Sequence, residues 1–130
     1  PIRNFGLERA SRISAAHAAL DRGIRFTFHH DTPVLPPDML ETVWCAVCRL
    51  TKGGVTLGAD QRIPAKDALR AVTEHAAYQY FEEARRGTLR PGKAADLVLL
   101  DADPLAVPPD RLRDIRVLET IKAGETVWRA

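Results

Sequence analysis

Ile24-Arg25-Phe26-Thr27-Phe28-His29-His30-Asp31-Thr32-Pro33 is the stretch on which the reading of the fold turns. Ile24, Phe26 and Phe28 alternate with Arg25, Thr27, His29 and Asp31, the period-two pattern of a strand with one apolar and one polar face. Thr32-Pro33-Val34-Leu35-Pro36-Pro37 follows; proline cannot donate to a ladder and drives the residue before it away from helix. The expectation is a short buried strand that delivers a carboxylate and two imidazoles at its carboxyl end, where α/β proteins place their chemistry. His29 and Asp31 share a face by alternation, and His30 points away.

Working outward, Ile13, Ala16, His17 and Leu20 recur at helical spacing within Ser11 to Asp21, with Gly23 placed for a left-handed stop. His17 has no second ligand one turn away and reads as an ordinary flank residue. Beyond the prolines, Pro37 and Asp38 suit a first helical turn. Leu40, Val43, Trp44, Val47 and Leu50 then form one buried stripe that runs to Gly53-Gly54. After an irregular polar passage from Gly53 to Ile63, Pro64 opens a helix with Ala65, Ala68, Leu69 and Val72 on one face. Thr73 is placed to cap a second helix through Ala76, Ala77, Tyr80 and Phe81.

From Gly87 the period changes. Ala94 to Asp101 is a compact apolar run that reads as a buried strand, and Arg116–Ile121 and Thr126–Trp128 flank Ala123-Gly124-Glu125 as a closing hairpin. Helices around a strand, then strands alone, give an α/β class.

The 130 residues fit a single domain, and 45% hydrophobic with 28% charged residues is an ordinary globular balance. A net charge of +2 from 19 basic and 17 acidic residues, interspersed, gives no footprint for nucleic acid. The densest basic stretch, Arg85 to Lys93, reads as a solvated loop. Without an 18-residue apolar run or a charged-then-apolar leader, neither a membrane nor a secretory route is expected, and the setting is read as cytoplasmic. The chain starts Pro1-Ile2-Arg3 without methionine, as the interior of a longer text would.

Two constellations could carry chemistry. Cys45-Ala46-Val47-Cys48 has the spacing of a redox pair or half a zinc site. It lies inside a helix rather than at its start, however, and has no second ligand pair, so inert thiols are expected. His29-His30-Asp31 is the one cluster of imidazole and carboxylate, donors that suit a borderline divalent metal and general base work.

Gly87-Thr88-Leu89-Arg90-Pro91-Gly92-Lys93-Ala94-Ala95-Asp96-Leu97-Val98-Leu99-Leu100-Asp101, followed by Asp103-Pro104, resembles the carboxyl-terminal signature of metal-dependent amidohydrolases. The closing run Ile121-Lys122-Ala123-Gly124-Glu125-Thr126-Val127 is similar to the strand pair and glycine turn that end those enzymes. Ala65 to Ala77 resembles the family's helix pair, with His75 in place of the usual Asn. Asp31-Thr32-Pro33-Val34 and Ala46-Val47-Cys48-Arg49-Leu50-Thr51 are similar to text of the branch that contains N-substituted formamide deformylase-like enzymes.

The resemblance implies the carboxyl-terminal portion of such an enzyme. Residues 1–86 would be the last strand and following helices of a (β/α)8 TIM-type barrel, and 87–130 the strands of a small composite β-sandwich. Asp31 would be metal ligand and general base, with His29 and His30 as further candidate ligands; His30 stands where the family often has Ser. The implied cofactor is a divalent metal, zinc, and the implied substrate a small amide-like molecule cleaved at a C–N bond. The implied partner is the missing amino-terminal portion of the same protein, which holds the HxH and other ligands, so the fragment alone is expected to be inactive. Lys93 and Asp96 are expected to be structural.

Two other readings stand beside this one. The first is a non-catalytic assembly module that associates, for example as a homo-oligomer, through open β edges. The second is a thiol redox protein acting through Cys45 and Cys48.

Overall fold

The computed structural model describes residues 2–130; Pro1, on which the expectation of an interior start rests, lies outside the described residues. Among the described residues the fold is α/β, with five α-helices preceding a three-stranded antiparallel sheet. The helices are α1 (Ile2–Ser11), α2 (Ala16–Asp21), α3 (Met39–Cys48), α4 (Ala65–Val72) and α5 (Glu74–Gln79). The strands are β1 (Leu97–Leu100), β2 (Val117–Lys122) and β3 (Glu125–Arg129), in the order β1-β2-β3.

α1 has no counterpart in the sequence reading and is broken at Gly6, whose φ of 72° and ψ of 165° are not helical. The helix expected from Ser11 begins only at Ala16, because Ser14 turns the chain with a φ of 52°. Its end is as expected. Gly23 is left-handed at φ 65°, and the amides of Gly23 and Ile24 bond back to Leu20 and Ala19 at 2.9 and 3.0 Å, the paired bonds of a Schellman stop.

The stretch from Ile24 to Asp31 departs from the expectation of a buried strand. Up to His30 it runs without helix, turn or bend, but a strand needs a neighbour to share its ladder, and among the described residues no other strand runs beside it. Ile24 is 53% exposed, while Phe26 and Phe28 pack on the core with their rings edge to face, centroids 5.5 Å apart.

Asp38 caps α3 rather than entering its first turn, accepting from the Glu41 amide at 3.0 Å. The helix then buries Val43, Trp44, Ala46 and Val47. It stops at Cys48, short of the expected Leu50, because Arg49 adopts a left-handed φ of 55°. That turn lets the Arg49 guanidinium donate to four carbonyls, those of Leu57, Ile13, Ser14 and Ser11, at 2.8, 2.8, 3.0 and 3.3 Å. Leu50, outside the helix, makes an isolated bridge to Thr56.

α4 and α5 are the expected broken pair. Thr73 does not cap α5 by its side chain; its hydroxyl instead donates back to the Leu69 carbonyl at 2.7 Å. The core joins Val43, Trp44, Ala46 and Val47 to Ala16, Ile63, Ala68, Leu112 and Ile115. Leu112 and Ile115 come from the connection between β1 and β2, so the sheet is tied to α3 through that connection.

The expected strand over Ala94 to Asp101 narrows to four residues. It is not buried, since the adjacent Val98 and Leu99, which point to opposite faces of the sheet, are both exposed. Register runs Leu97↔Ile121 and Val98↔Thr120, then Glu119↔Arg129 and Thr120↔Trp128. A shift between Thr120 and Ile121 leaves Val127 as an extra residue in β3. No helix among the described residues is long and apolar enough to cross a membrane.

Candidate active site

The extended segment ends where the backbone turns over. Asp31 takes a φ of 60° and its carbonyl accepts from the Val34 amide at 2.8 Å. A left-handed conformation at a residue other than glycine is uncommon, though aspartate tolerates it better than most. The turn lifts the Asp31 carboxylate to the surface, with its side chain 71% exposed, and His29 Nε2 stands 3.1 Å from Oδ1. A carboxylate oxygen only accepts, so Nε2 carries the proton in this pair.

His30 is engaged elsewhere. Its Nε2 accepts the Asp38 amide hydrogen at 3.2 Å, which leaves the proton of a neutral ring on Nδ1, 3.4 Å from the Thr32 hydroxyl. The structure therefore brings His29 and Asp31 together and draws His30 to the amino end of α3.

Borderline divalent metals suit imidazole and carboxylate, but a catalytic site of this kind uses three protein ligands. Among the described residues no group of three or more His, Cys, Asp or Glu could hold a metal ion. The pair at His29 and Asp31 thus falls short of a metal site by its own donors. Beside it lies a half-open hollow of about 510 Å³ whose walls include Phe26, Phe28, His29, Cys45 and Arg49, but not Asp31.

Cys45 and Cys48 are free thiols, and burial, the largest cause at each, raises both above the ordinary thiol value. Cys48 Sγ donates to the Pro109 carbonyl at 3.4 Å. At Cys45 the Glu41 carboxylate adds to the rise, and at Cys48 the Arg62 guanidinium opposes it without overcoming burial. Burial also lowers the Arg49 guanidinium from its usual value.

One residue the sequence reading did not use is His75. It is buried, and Nδ1 donates to the Phe26 carbonyl at 3.1 Å. Its sequence signal was the departure from Asn at this place in the helix pair.

The model of the amidohydrolase family matches residues 2–128. The chain belongs to the amidohydrolase family. It is 32% identical over 113 residues to an N-substituted formamide deformylase from Arthrobacter pascens, covering 87% of this chain and 21% of that protein. It is 27% identical over 130 residues to YtcJ of Bacillus subtilis (strain 168), named there as a candidate amidohydrolase, covering 98% of this chain and 25% of that one. Among solved structures, an uncharacterized metal-dependent hydrolase from Pyrococcus horikoshii OT3 superposes with a TM-score of 0.66 at 34% identity, over 80% of this chain and 22% of that chain. The chain thus spans between a fifth and a quarter of the length of the curated relatives it matches.

Proposed function

We propose that this chain is the carboxyl-terminal portion of a metal-dependent hydrolase that cleaves a C–N bond in a small amide-like substrate, and that Asp31 is its contribution to the chemistry. The observation that carries the proposal is the placement of Asp31. Its carboxylate stands exposed on a left-handed turn at the end of an extended segment, with His29 at 3.1 Å.

In this reading Ile24 to Asp31 is the last strand of a (β/α)8 barrel, which gains its ladder beside a strand of the remaining polypeptide. Residues 1–86 belong to the barrel and 87–130 to a β-sandwich. The apolar side chains left open on the sheet, Val98, Leu118 and Trp128, support the second half of that division.

A divalent metal, zinc for this donor chemistry, supplies a polarised carbonyl and a nucleophilic water in such enzymes. Asp31 and His29 are too few to hold it, and the other ligands belong to the rest of the protein. What Asp31 does by itself is accept a proton: the carboxylate oxygen turned away from His29 takes it from the attacking water. His29 Nε2–H orients the carboxylate. His30 takes no part, since its Nε2 lone pair is engaged by the Asp38 amide.

The test is to express the complete reading frame that contains this chain and assay hydrolysis with added zinc. N-substituted formamides, after the name of the Arthrobacter relative, come first, then other small amides. Activity that vanishes in Asp31→Asn supports the assignment, and full activity in that variant removes it. The chain alone is expected to be inactive.

A second reading, an assembly module, rests on the exposed Val98, Leu118, Val127 and Trp128. A monodisperse monomer in light scattering would exclude it.

A further inference from the structure

A strand without a ladder must be held by something else. Between Ile24, whose amide bonds to Ala19, and the turn at Asp31, the site segment is gripped by side chains of one short helix. His75 Nδ1 donates to the Phe26 carbonyl at 3.1 Å, the Thr27 hydroxyl donates to Gln79 Oε1 at 2.7 Å, and the Arg25 guanidinium lies 4.1 Å from the centre of the Tyr78 ring. Three consecutive residues of the segment thus meet three residues of α5. The His75 ring also meets the Phe26 ring edge-on, with centroids 6.2 Å apart and planes at 78°.

Burial separates this arrangement from an ordinary surface contact. Among the described residues His75 is the only buried polar one, at 7% exposure. An imidazole at such a place costs stability unless its polar atoms are bonded. The carbonyl it bonds can only accept, so the proton sits on Nδ1 whether the ring is neutral or charged.

We infer that α5 is the positioning element of the site and that His75 is its key positioning residue, an inference that rests on the proposed role of Asp31. The segment is clamped at two ends. His75 and Gln79 hold Phe26 and Thr27, while His30 and the Asp38 amide hold the far end. Phe28 and His29 lie between the clamps, and Asp31 lies just past the second.

The first clamp sets how far the segment is drawn along the core and how it is rotated, and so where the Asp31 turn begins. Only a donor one bond beyond Cγ is needed at position 75. The amide nitrogen of asparagine stands at that place, whereas leucine fills the volume and leaves the Phe26 carbonyl unpaired.

The experiment compares wild type, His75→Leu, His75→Asn and Thr27→Val. In the 130-residue chain, 15N relaxation reports backbone order at residues 26–31 and, as the reference, at residues 43–47 of α3. In His75→Leu, order parameters at 26–31 are expected to fall from the rigid level of about 0.85 to below about 0.6, with α3 unchanged. His75→Asn is expected to restore the wild-type values. Thr27→Val, at a position outside the buried core, reads the same clamp if His75→Leu fails to fold.

In the complete hydrolase His75→Leu is expected to lower kcat by roughly a hundredfold, with KM changed little, and His75→Asn to recover it. Unchanged order at 26–31 in both His75→Leu and Thr27→Val overturns the inference, as does an Asn variant no better than Leu, or loosening that spreads equally to α3. The two readings fail separately. Full activity in Asp31→Asn removes the functional assignment whatever the relaxation shows. An inactive Asp31→Asn beside an unperturbed His75→Leu removes only the clamp.

Discussion

His30 Nε2 accepts the backbone hydrogen of Asp38 at 3.2 Å, while the Asp38 carboxylate accepts that of Glu41 at 3.0 Å. The amino end of α3 thus has two of its donors satisfied, that of the cap residue Asp38 by a histidine eight positions upstream. His30→Ala removes that acceptor and is expected to destabilise the chain by about 1 kcal/mol, the usual cost of a lost cap. Urea denaturation followed by circular dichroism checks it. A loss of metal-dependent activity without a loss of stability would show instead that His30 serves the site.

The chain crosses itself closely at Gly58. With φ at +65°, a Cβ built there would lie 2.0 Å from the Ser11 carbonyl oxygen and 3.2 Å from an Arg49 guanidinium nitrogen. Gly58→Ala therefore meets both a disfavoured backbone conformation and a main-chain atom. A loss of more than about 2 kcal/mol is expected. Arg49→Lys should also destabilise, because one ammonium cannot replace a planar fork donating to four carbonyls. Thermal unfolding of both variants is the measurement.

Two carboxylates of the sheet region set its response to acid. Asp101 is held below its ordinary value first by the Arg116 side chain, at 2.8 Å, and then by the Arg116 amide, also at 2.8 Å. Glu119 is held low first by the Thr126 hydroxyl and then by Arg129 at 2.9 Å. A group whose folded value lies below its unfolded one binds more protons when unfolded, so stability rises with pH in that window. The contribution is complete above the unfolded values of about 4 and is lost as pH falls through the folded ones. Asp101→Asn and Glu119→Gln should each flatten the acid limb of a stability–pH curve measured by denaturant titration.

Cys45 and Cys48 should behave as unactivated thiols. Burial raises both, so at neutral pH each is expected to react with a disulfide reagent more slowly than a free cysteine. Faster reaction at either would revive a redox role.

Much of the fold was legible where a local rule acts alone. Gly23 stops α2, Pro64 precedes α4, and Ala123-Gly124 turns the hairpin, because each choice depends only on nearby residues. That Ile24 to His30 runs without helix or turn was legible for the same reason. The lack of a pairing strand among the described residues was not, since hydrogen bonding between strands depends on neighbours that alternation does not reveal.

α3 stopped short because Arg49 is committed to carbonyls from two distant turns, a tertiary demand with no local signal. At the site, alternation put His29 and Asp31 on one face, and the two do meet at 3.1 Å, but across the left-handed turn at Asp31 rather than along a strand. The bond that occupies His30 did not, for it depends on how the proline loop folds back on Asp38. His75 was visible only as an odd residue in a familiar pattern; its burial against Phe26 gives that oddity a physical meaning.

The role of Asp31 as general base is decided by the zinc-supplemented activity of the complete protein as wild type and as Asp31→Asn, a substitution that tolerates the left-handed turn and removes only the charge. Circular dichroism and Tm are expected to match within error while kcat/KM falls at least roughly a thousandfold, the scale of a lost general base. Undiminished hydrolysis by Asp31→Asn would contradict that role.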